Sequence, residues 1–465
     1  MRKKILFFIL LVFSIVLTSC HFQKTTNENS DTLAQKPPMG WNSWNCFGID
    51  VTEAQVKANV DYMAEHLKQY GWEYIVVDLG WYIPSSLNTW TFKVQNPQQN
   101  MDEFGRLIPD TLKFPSSKNN NGFKPLSDYI HSKGLKFGIH IMRGIPWQAI
   151  AQNTPVKNSS ALAAEIANVN DSCIWYDGLK GVDLSKTGAQ EYYNSLIELY
   201  AEWGVDYIKA DDMSFPYHES EIAALSNAIK KSGRPIVLSL SPGATPVEKI
   251  NHLRQHANLW RISPDFWDDW HFLHRQFELC RKWQSFILPG HWPDCDMLPL
   301  GKIRKTGPDD YVVENMKLSK EELTDEYSRF NNNEIITLMS LWAIFRSPLM
   351  FGGHMPENDS LTLALLTNSE VLKVNQESTN NREIINRNGF IAWLADVPGS
   401  ENKYLALFNT NDISGEFTVY FDSININHEI IVRDLWDRID LGKYKDSVSF
   451  VISPHGAELF QLLTK

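Results

Sequence analysis

Two aspartates, Asp211 and Asp265, each end a short run rich in apolar residues, over 205–211 and 260–265. Alternate side chains of an extended strand share a face, so Lys209 points the same way as Asp211. An ammonium beside a carboxylate favours the ionised form, and an ionised, positioned aspartate can attack an anomeric carbon. The further requirement for glycoside hydrolysis is a second carboxyl across the same sugar ring. Asp265, two strands further round, is placed to supply it. Taken singly, each aspartate has a plainer reading, as a cap for the helix that follows or a partner for a surface lysine. Their joint occurrence at two strand ends is what favours chemistry.

Eight such runs recur, at 38–42, 74–81, 136–143, 206–212, 235–241, 259–265, 291–298 and 347–353. Seven of the eight carry polar groups at their C-terminal edges: Asn42, Asp78, His140 with Arg143, Lys209 with Asp211, Ser241, Arg261 with Asp265, and Asp294 with Asp296. Helical periodicity separates them, over 51–70, 189–203, 219–232, 270–283 and 333–345. Thr52 and Gln55 form a capping-box pair, and Gly71 and Gly204 are helix stops. Buried parallel strands read as continuous apolar stretches, and a (β/α)8 TIM barrel gathers its reactive groups where its strands finish. The reading is therefore an α/β chain whose barrel occupies 36–380, with long insertions at 83–122 and 144–183 shaping the pocket rim. Short alternating runs at 390–395, 403–409, 416–421, 429–434 and 449–452 predict a C-terminal antiparallel β-sandwich over 381–465. Its surface either binds glycan or serves as a cap.

Sugar recognition needs flat apolar surfaces for C–H faces and fixed polar groups for hydroxyls. Trp41, Trp81, Trp147 and Trp292 sit at strand ends or just beyond, and Trp41 and Trp81 are the preferred stacking candidates. With sixteen tryptophans in the chain, most must serve packing. Asp78, His140, Arg143, Lys209, Ser241 and Arg261 are placed to bind hydroxyls, although His140 and Arg143 would equally serve to hold the long third loop.

A formal charge of −11 over 465 residues argues against a nucleic-acid partner, which would want clustered Lys and Arg. Arg2, Lys3 and Lys4 precede an apolar stretch at 5–17, too short for a comfortable membrane span and suited to an export signal. It closes on Leu17-Thr18-Ser19-Cys20, similar to a bacterial lipobox, so Cys20 is the expected lipidation site and 21–35 a flexible tether. An ordinary cleaved signal is the alternative. The expected location is outside the cytoplasm, periplasmic or at the cell surface, with membrane contact only through that lipid. Cys46, Cys173, Cys280 and Cys295 show no CxxC pair and no metal-type spacing, and one disulfide after export and buried free thiols are equally compatible with the sequence.

Four segments, Pro38-Met39-Gly40-Trp41-Asn42-Ser43-Trp44, Lys209-Ala210-Asp211, Trp260-Arg261 with Asp265, and Trp292-Pro293-Asp294-Cys295-Asp296-Met297-Leu298, resemble glycoside hydrolase family 27, the melibiase-type α-galactosidases. The resemblance runs in order from about 36 to 376 and on through the sandwich. It implies a retaining, exo-acting enzyme without metal or organic cofactor, acting on an oligosaccharide or polysaccharide. In it Asp211 is the nucleophile and Asp265 the acid/base, while Trp41, Asp78, Lys209, Arg261 and Asp296 line the sugar subsite. Three departures stand out. Leu79 replaces the second of two adjacent acids, His140 an aromatic hydroxyl, and Asp212-Met213 a segment holding a cysteine of the usual loop disulfide. Ser241 with Ala244 resembles the small residues of relatives that admit a 2-acetamido group. The alternatives on the same machinery are a β-L-arabinopyranosidase, an α-N-acetylgalactosaminidase and an isomaltose-releasing dextranase. A surface glycan-binding lipoprotein without catalysis is the alternative of a different class.

Overall fold

The computed structural model describes residues 33–85, 95–305, 316–317, 319, 321–324 and 326–464. The leader, Cys20 and all but the last residues of the proposed tether lie outside these. Eight parallel strands form the larger sheet: β1 (Met39–Asn42), β2 (Tyr74–Val77), β3 (Lys136–Met142), β4 (Tyr207–Asp211), β5 (Val237–Leu240), β6 (Leu259–Arg261), β7 (Trp292–Asp294) and β8 (Leu349–Phe351). Their order is β7-β6-β5-β4-β3-β2-β1-β8. The ring closes where Leu298, just past β7, makes a parallel bridge to Phe351, with Leu298 N donating to Met350 O at 2.7 Å and Gly352 N to Leu298 O at 3.0 Å. The expected barrel is the one found.

Strand parity divides the side chains. Tyr74, Val76, Tyr207, Val237, Leu259, Trp292 and Met350 pack together inside the ring, while their neighbours Ile75, Val77, Ile208 and Trp260 join the larger core beneath the helices. Because successive side chains alternate, the next inward positions toward the C-terminal mouth are Asp78, Lys209 with Asp211, Arg261, and Asp294. The helices that cover the ring include α1 (Glu53–Tyr62), α2 (Ala189–Glu202), α3 (Glu219–Ser232), α4 (Trp270–Trp283) and α5 (Asn332–Phe345). The Thr52–Gln55 capping box starts α1, a feature that contributes about 1 kcal/mol. The helical path then passes through a wider turn (Met63–Leu67) and a tighter one (Lys68–Tyr70) before Gly71 ends it at φ 96°. Among the described residues no helix is long and apolar enough to cross a membrane.

Eight antiparallel strands follow: β9 (Thr379–Arg387), β10 (Phe390–Asp396), β11 (Lys403–Asn409), β12 (Gly415–Tyr420), β13 (Ile430–Asp434), β14 (Ile439–Tyr444), β15 (Ser447–Ile452) and β16 (Ala457–Leu463). They make a six-stranded sheet, β9-β10-β11-β16-β13-β14, facing the pair β12-β15. Leu405 and Leu407 point into the sandwich with Phe417 and Val419, whereas Tyr404, Ala406 and Phe408 join the barrel's core. Phe408 meets Phe277 of α4 with ring centroids 5.0 Å apart, and Trp393 meets Phe345 of α5 at 6.0 Å. The six-stranded sheet is thus apolar on both faces, and the sandwich is welded to the barrel rather than tethered to it.

Candidate active site

The C-terminal ends of the strands enclose a cavity of about 140 Å³, lined by Asp78, His140, Lys209, Asp211, Arg261, Asp265 and Asp296 together with Trp44, Asn45, Leu79, Trp175 and Trp267. Two charged clusters face each other across it. In the first, Asp211 Oδ2 lies 3.0 Å from His140 Nε2 and Oδ1 accepts the Asp212 N–H at 2.7 Å. Burial opposes the charge on Asp211, but the His140 hydrogen bond and the charges of His140 and Lys209 outweigh it and hold the carboxyl below its ordinary value. Lys209 Nζ donates to Asp78 Oδ2 at 2.8 Å, the oxygen that also accepts Asn42 Nδ2 at 2.6 Å. Asp78 is desolvated too, yet Lys209 and His140 keep it well below the usual carboxylate range. Lys209 in turn is held protonated: burial lowers it, and Asp78, Asp211 and Asp296 raise it further.

The second cluster centres on Arg261, whose Nη2 lies 2.7 Å from Asp296 Oδ2 and 3.3 Å from Asp265 Oδ1. Asp296 is fixed from both ends, its N–H donating to Asp294 Oδ1 at 2.9 Å and its Oδ2 accepting the Phe266 N–H at 2.8 Å. Burial, with the neighbouring Asp265 and Asp294 charges, pushes its carboxyl up to about 7 against the pull of Arg261 and Lys209. The Asp265 side chain is 30% exposed, against 13% for Asp211, so one carboxylate is enclosed and the other reaches the mouth. The loops after β5 and β6 meet only because residue 243 is glycine. A Cβ there would lie 2.3 Å from Ser263 O and 2.8 Å from Arg261 O.

Of the residues singled out from the sequence, Asp78, His140, Lys209, Asp211, Arg261, Asp265 and Asp296 come together here. Four others sit elsewhere. Trp41 is fully buried under the helices, its indole N–H donating to Gly353 O at 2.8 Å. Trp81 is equally buried, donating to His140 O at 2.8 Å and packing edge-on against Tyr82 and Phe123. Neither offers a face to the cavity. Ser241 lines a void of about 20 Å³ below it, with Ser239 and Asp294. Arg143 is only 3% exposed and lies behind the wall, ion-paired to Asp171, Asp212 and Glu221. Of the other two tryptophans, Trp147 donates to Pro97 O and Trp292 to Ala34 O at the opposite end of the barrel.

The aromatic surfaces come instead from Trp44, Trp175 and Trp267. Trp44 follows β1, its N–H accepted by Asn42 Oδ1 at 2.9 Å. Trp175 lies in the turn between the paired strands Ala167–Ser172 and Leu179–Val182, within the insertion after β3. For metals, Asp171, His218 and Glu221 bring donor atoms within 4.8 Å of one another, but Arg143 Nη1, 3.0 Å from Asp171 and 2.6 Å from Glu221, already supplies the cation between the carboxylates. The four described cysteines are buried thiols, with the sulfurs of Cys280 and Cys295 3.5 Å apart.

The α-galactosidase A family model matches residues 36–152 and 176–377, and that of the α-galactosidase C-terminal β-sandwich matches 388–462. The chain belongs to glycoside hydrolase family 27. It is a glycosidase of the melibiase type, and the segment the family model skips is the one that carries Trp175. A family 27 β-L-arabinopyranosidase from Geobacillus stearothermophilus, in complex with arabinose, is 44% identical, with a TM-score of 0.87 over 93% of this chain and 98% of that one. Alpha-galactosidase 2 of Arabidopsis thaliana is 27% identical over 98% of this chain and 96% of its own length. Alpha-galactosidase A of Cellvibrio japonicus is 26% identical over 99% of each.

Proposed function

We propose that the chain is an exo-acting, retaining α-galactosidase in which Asp211 is the nucleophile and Asp265 the acid/base. The observation that supports this is the opening of both carboxylates, one at the end of β4 and the other on the loop after β6, onto one small cavity that Asp78, Lys209, Arg261 and Asp296 also line. Asp211, enclosed and ionised, attacks the anomeric carbon while Asp265 at the mouth protonates the departing oxygen. Water, deprotonated by Asp265, then releases the sugar from the glycosyl-enzyme. Asp78, Lys209, Arg261 and Asp296 hold the hydroxyls, and Trp44, Trp175 and Trp267 supply the apolar faces.

A second specificity, for β-L-arabinopyranosides, is favoured by Leu79. That pentoside has the ring configuration of an α-D-galactopyranoside without the exocyclic hydroxymethyl group. Leu79, 2% exposed and lining the cavity beside Asp78, would offer a hydroxyl placed against it no side-chain partner, and an unpaired buried hydroxyl costs about 1–3 kcal/mol. One experiment tests both readings: initial rates on nitrophenyl α-D-galactopyranoside, β-L-arabinopyranoside and α-N-acetylgalactosaminide and on dextran, with the product anomer followed by proton NMR. The expected product is the retained anomer, and Leu79→Asp should shift kcat/KM toward the galactoside over the arabinoside by at least about fivefold. Release of the inverted anomer would exclude double displacement, and an unmoved ratio would separate Leu79 from specificity.

The leader and the Cys20 lipobox support export and a lipid anchor. Labelled palmitate should enter the wild-type chain in a bacterial host and be absent from Cys20→Ala; equal labelling would discard the anchor.

A further inference from the structure

Arg143 does not reach the cavity, yet all three of its side-chain nitrogens are engaged around the segment that carries Asp211. Nε donates to Asp212 O at 3.1 Å and to Asp212 Oδ2 at 2.9 Å. Nη1 donates to Asp171 Oδ2 at 3.0 Å and Glu221 Oε1 at 2.6 Å, and Nη2 to Asp171 Oδ1 at 2.8 Å. Its own backbone N–H donates to Asp211 O at 3.0 Å. The far side of Glu221 is held by the Tyr193 hydroxyl and by the Val182 N–H at 3.3 Å. Gly181 leaves the room required, since a Cβ there would lie 2.6 Å from Asp171 Oδ2 and 2.8 Å from Arg143 Nη1.

The consequence for Asp211 runs through one peptide. Asp212 has φ 56°, a left-handed conformation uncommon outside glycine, and its N–H is the donor to Asp211 Oδ1. Rotation of that peptide would swing the donor and release one oxygen of the carboxylate. The carbonyl of that same peptide, Asp211 O, accepts the Arg143 backbone N–H, and the Arg143 side chain pins the far side of the turn by gripping the next carbonyl and the side chain of Asp212, so that the peptide is held at both ends against rotation. On the other side, Asp171 belongs to the strand that leads into the turn bearing Trp175.

We propose that Arg143 is a positioning residue that clamps the Asp212 turn, so that the Asp211 carboxylate and the Trp175 hairpin are held in one arrangement. The proposal rests on the reading of Asp211 as nucleophile. A lysine in its place carries the charge but lacks the planar fork that serves three carboxylates at once.

The test uses the full-length enzyme and the nitrophenyl glycoside that the wild type cleaves. Arg143→Lys removes the fork. Asp212→Gly removes the gripped side chain while permitting positive φ without strain, and it leaves Arg143 paired to Asp171 and Glu221. Both variants should lose about 10- to 100-fold in kcat with KM within about threefold and an unchanged near-UV circular dichroism spectrum, as expected for a misaligned reacting group. Wild-type kcat in folded Asp212→Gly overturns the proposal, as does a loss confined to KM or matched by a loss of folded protein. Asp211→Asn, measured alongside, separates the two failures. If it turns over substrate, the nucleophile assignment has failed. If it is inactive while Asp212→Gly is fully active, only the clamp has failed.

Discussion

Asp211→Asn will fold and will lose on the order of 10⁴-fold or more in kcat, the scale seen when a residue at the centre of a covalent mechanism is removed. The substitution is close to isosteric. An amide retains an oxygen for the Asp212 N–H and places its NH2 toward His140 Nε2, 3.0 Å from the present Oδ2. What disappears is the negative charge that His140 and Lys209 stabilise against burial, and with it the electron pair that would bond to the anomeric carbon. Sugar binding should survive, because Asp78, Arg261 and Asp296 are untouched. The checks are kcat on the preferred nitrophenyl glycoside and product binding by calorimetry. Turnover within tenfold of wild type would remove Asp211 from the mechanism.

The counterpart, Asp265→Ala, should behave differently. Loss of a general acid and base lowers rates by about 10²- to 10⁴-fold, and the loss should be greatest with a poor leaving group such as the second sugar of a disaccharide. A nitrophenolate departs without protonation, so the glycosyl-enzyme still forms and its hydrolysis becomes limiting. Azide, which needs no base, should then restore turnover and give a glycosyl azide of retained configuration. An inverted azide would reassign Asp265 as the nucleophile. The cavity accommodates the reagent on this side, since Asp265 is the more exposed of the two carboxylates.

The barrel was legible because its strands are buried on both faces, and each of the eight apolar runs contains one of the observed strands. The helices over 219–232 and 270–283 coincide with α3 and α4. The sandwich was less so. The expected strands over 390–395, 403–409, 416–421, 429–434 and 449–452 all correspond to observed ones, but β9, β14 and β16 went unread. β16, Ala457-Glu458-Leu459-Phe460-Gln461-Leu462-Leu463, is rich in good helix formers, and it is extended because Leu405 and Leu407 of β11 pair with Phe460 and Glu458. Tertiary pairing there overrides a local preference that spans under 1 kcal/mol per residue.

The charged part of the site was readable for a related reason. Parity along a strand fixes which side chains face inward, so Lys209 and Asp211 share the face that lines the cavity. The same rule, applied to β1, would have excluded Trp41: Asn42 reaches inward to Asp78, so its neighbour must face the helices. Trp81 lies past the end of β2, where parity no longer applies, and the aromatic cluster under the insertion claims it. Trp44, Trp175 and Trp267 stand on connecting segments, whose direction depends on contacts distant in sequence. In the sequence, the sign of Trp175 is the length of the segment that carries it. For Arg143, loop-holding and hydroxyl-binding could be told apart only once Asp171, Asp212 and Glu221 were seen to surround it.

Helix α5 joins regions that a linear description keeps apart. In its last turn, the Trp342 indole N–H donates to Asp296 O at 3.0 Å, beside the sugar cavity. On its outer side Ser340 accepts from Trp436 Nε1 at 3.0 Å, and Thr337 donates to His455 O at 2.6 Å. The helix is a beam common to catalyst and accessory domain. Trimming the chain to its barrel would therefore take away the abutment of one wall of the sugar site, and evolution could exchange the C-terminal module only together with a helix cut to match it.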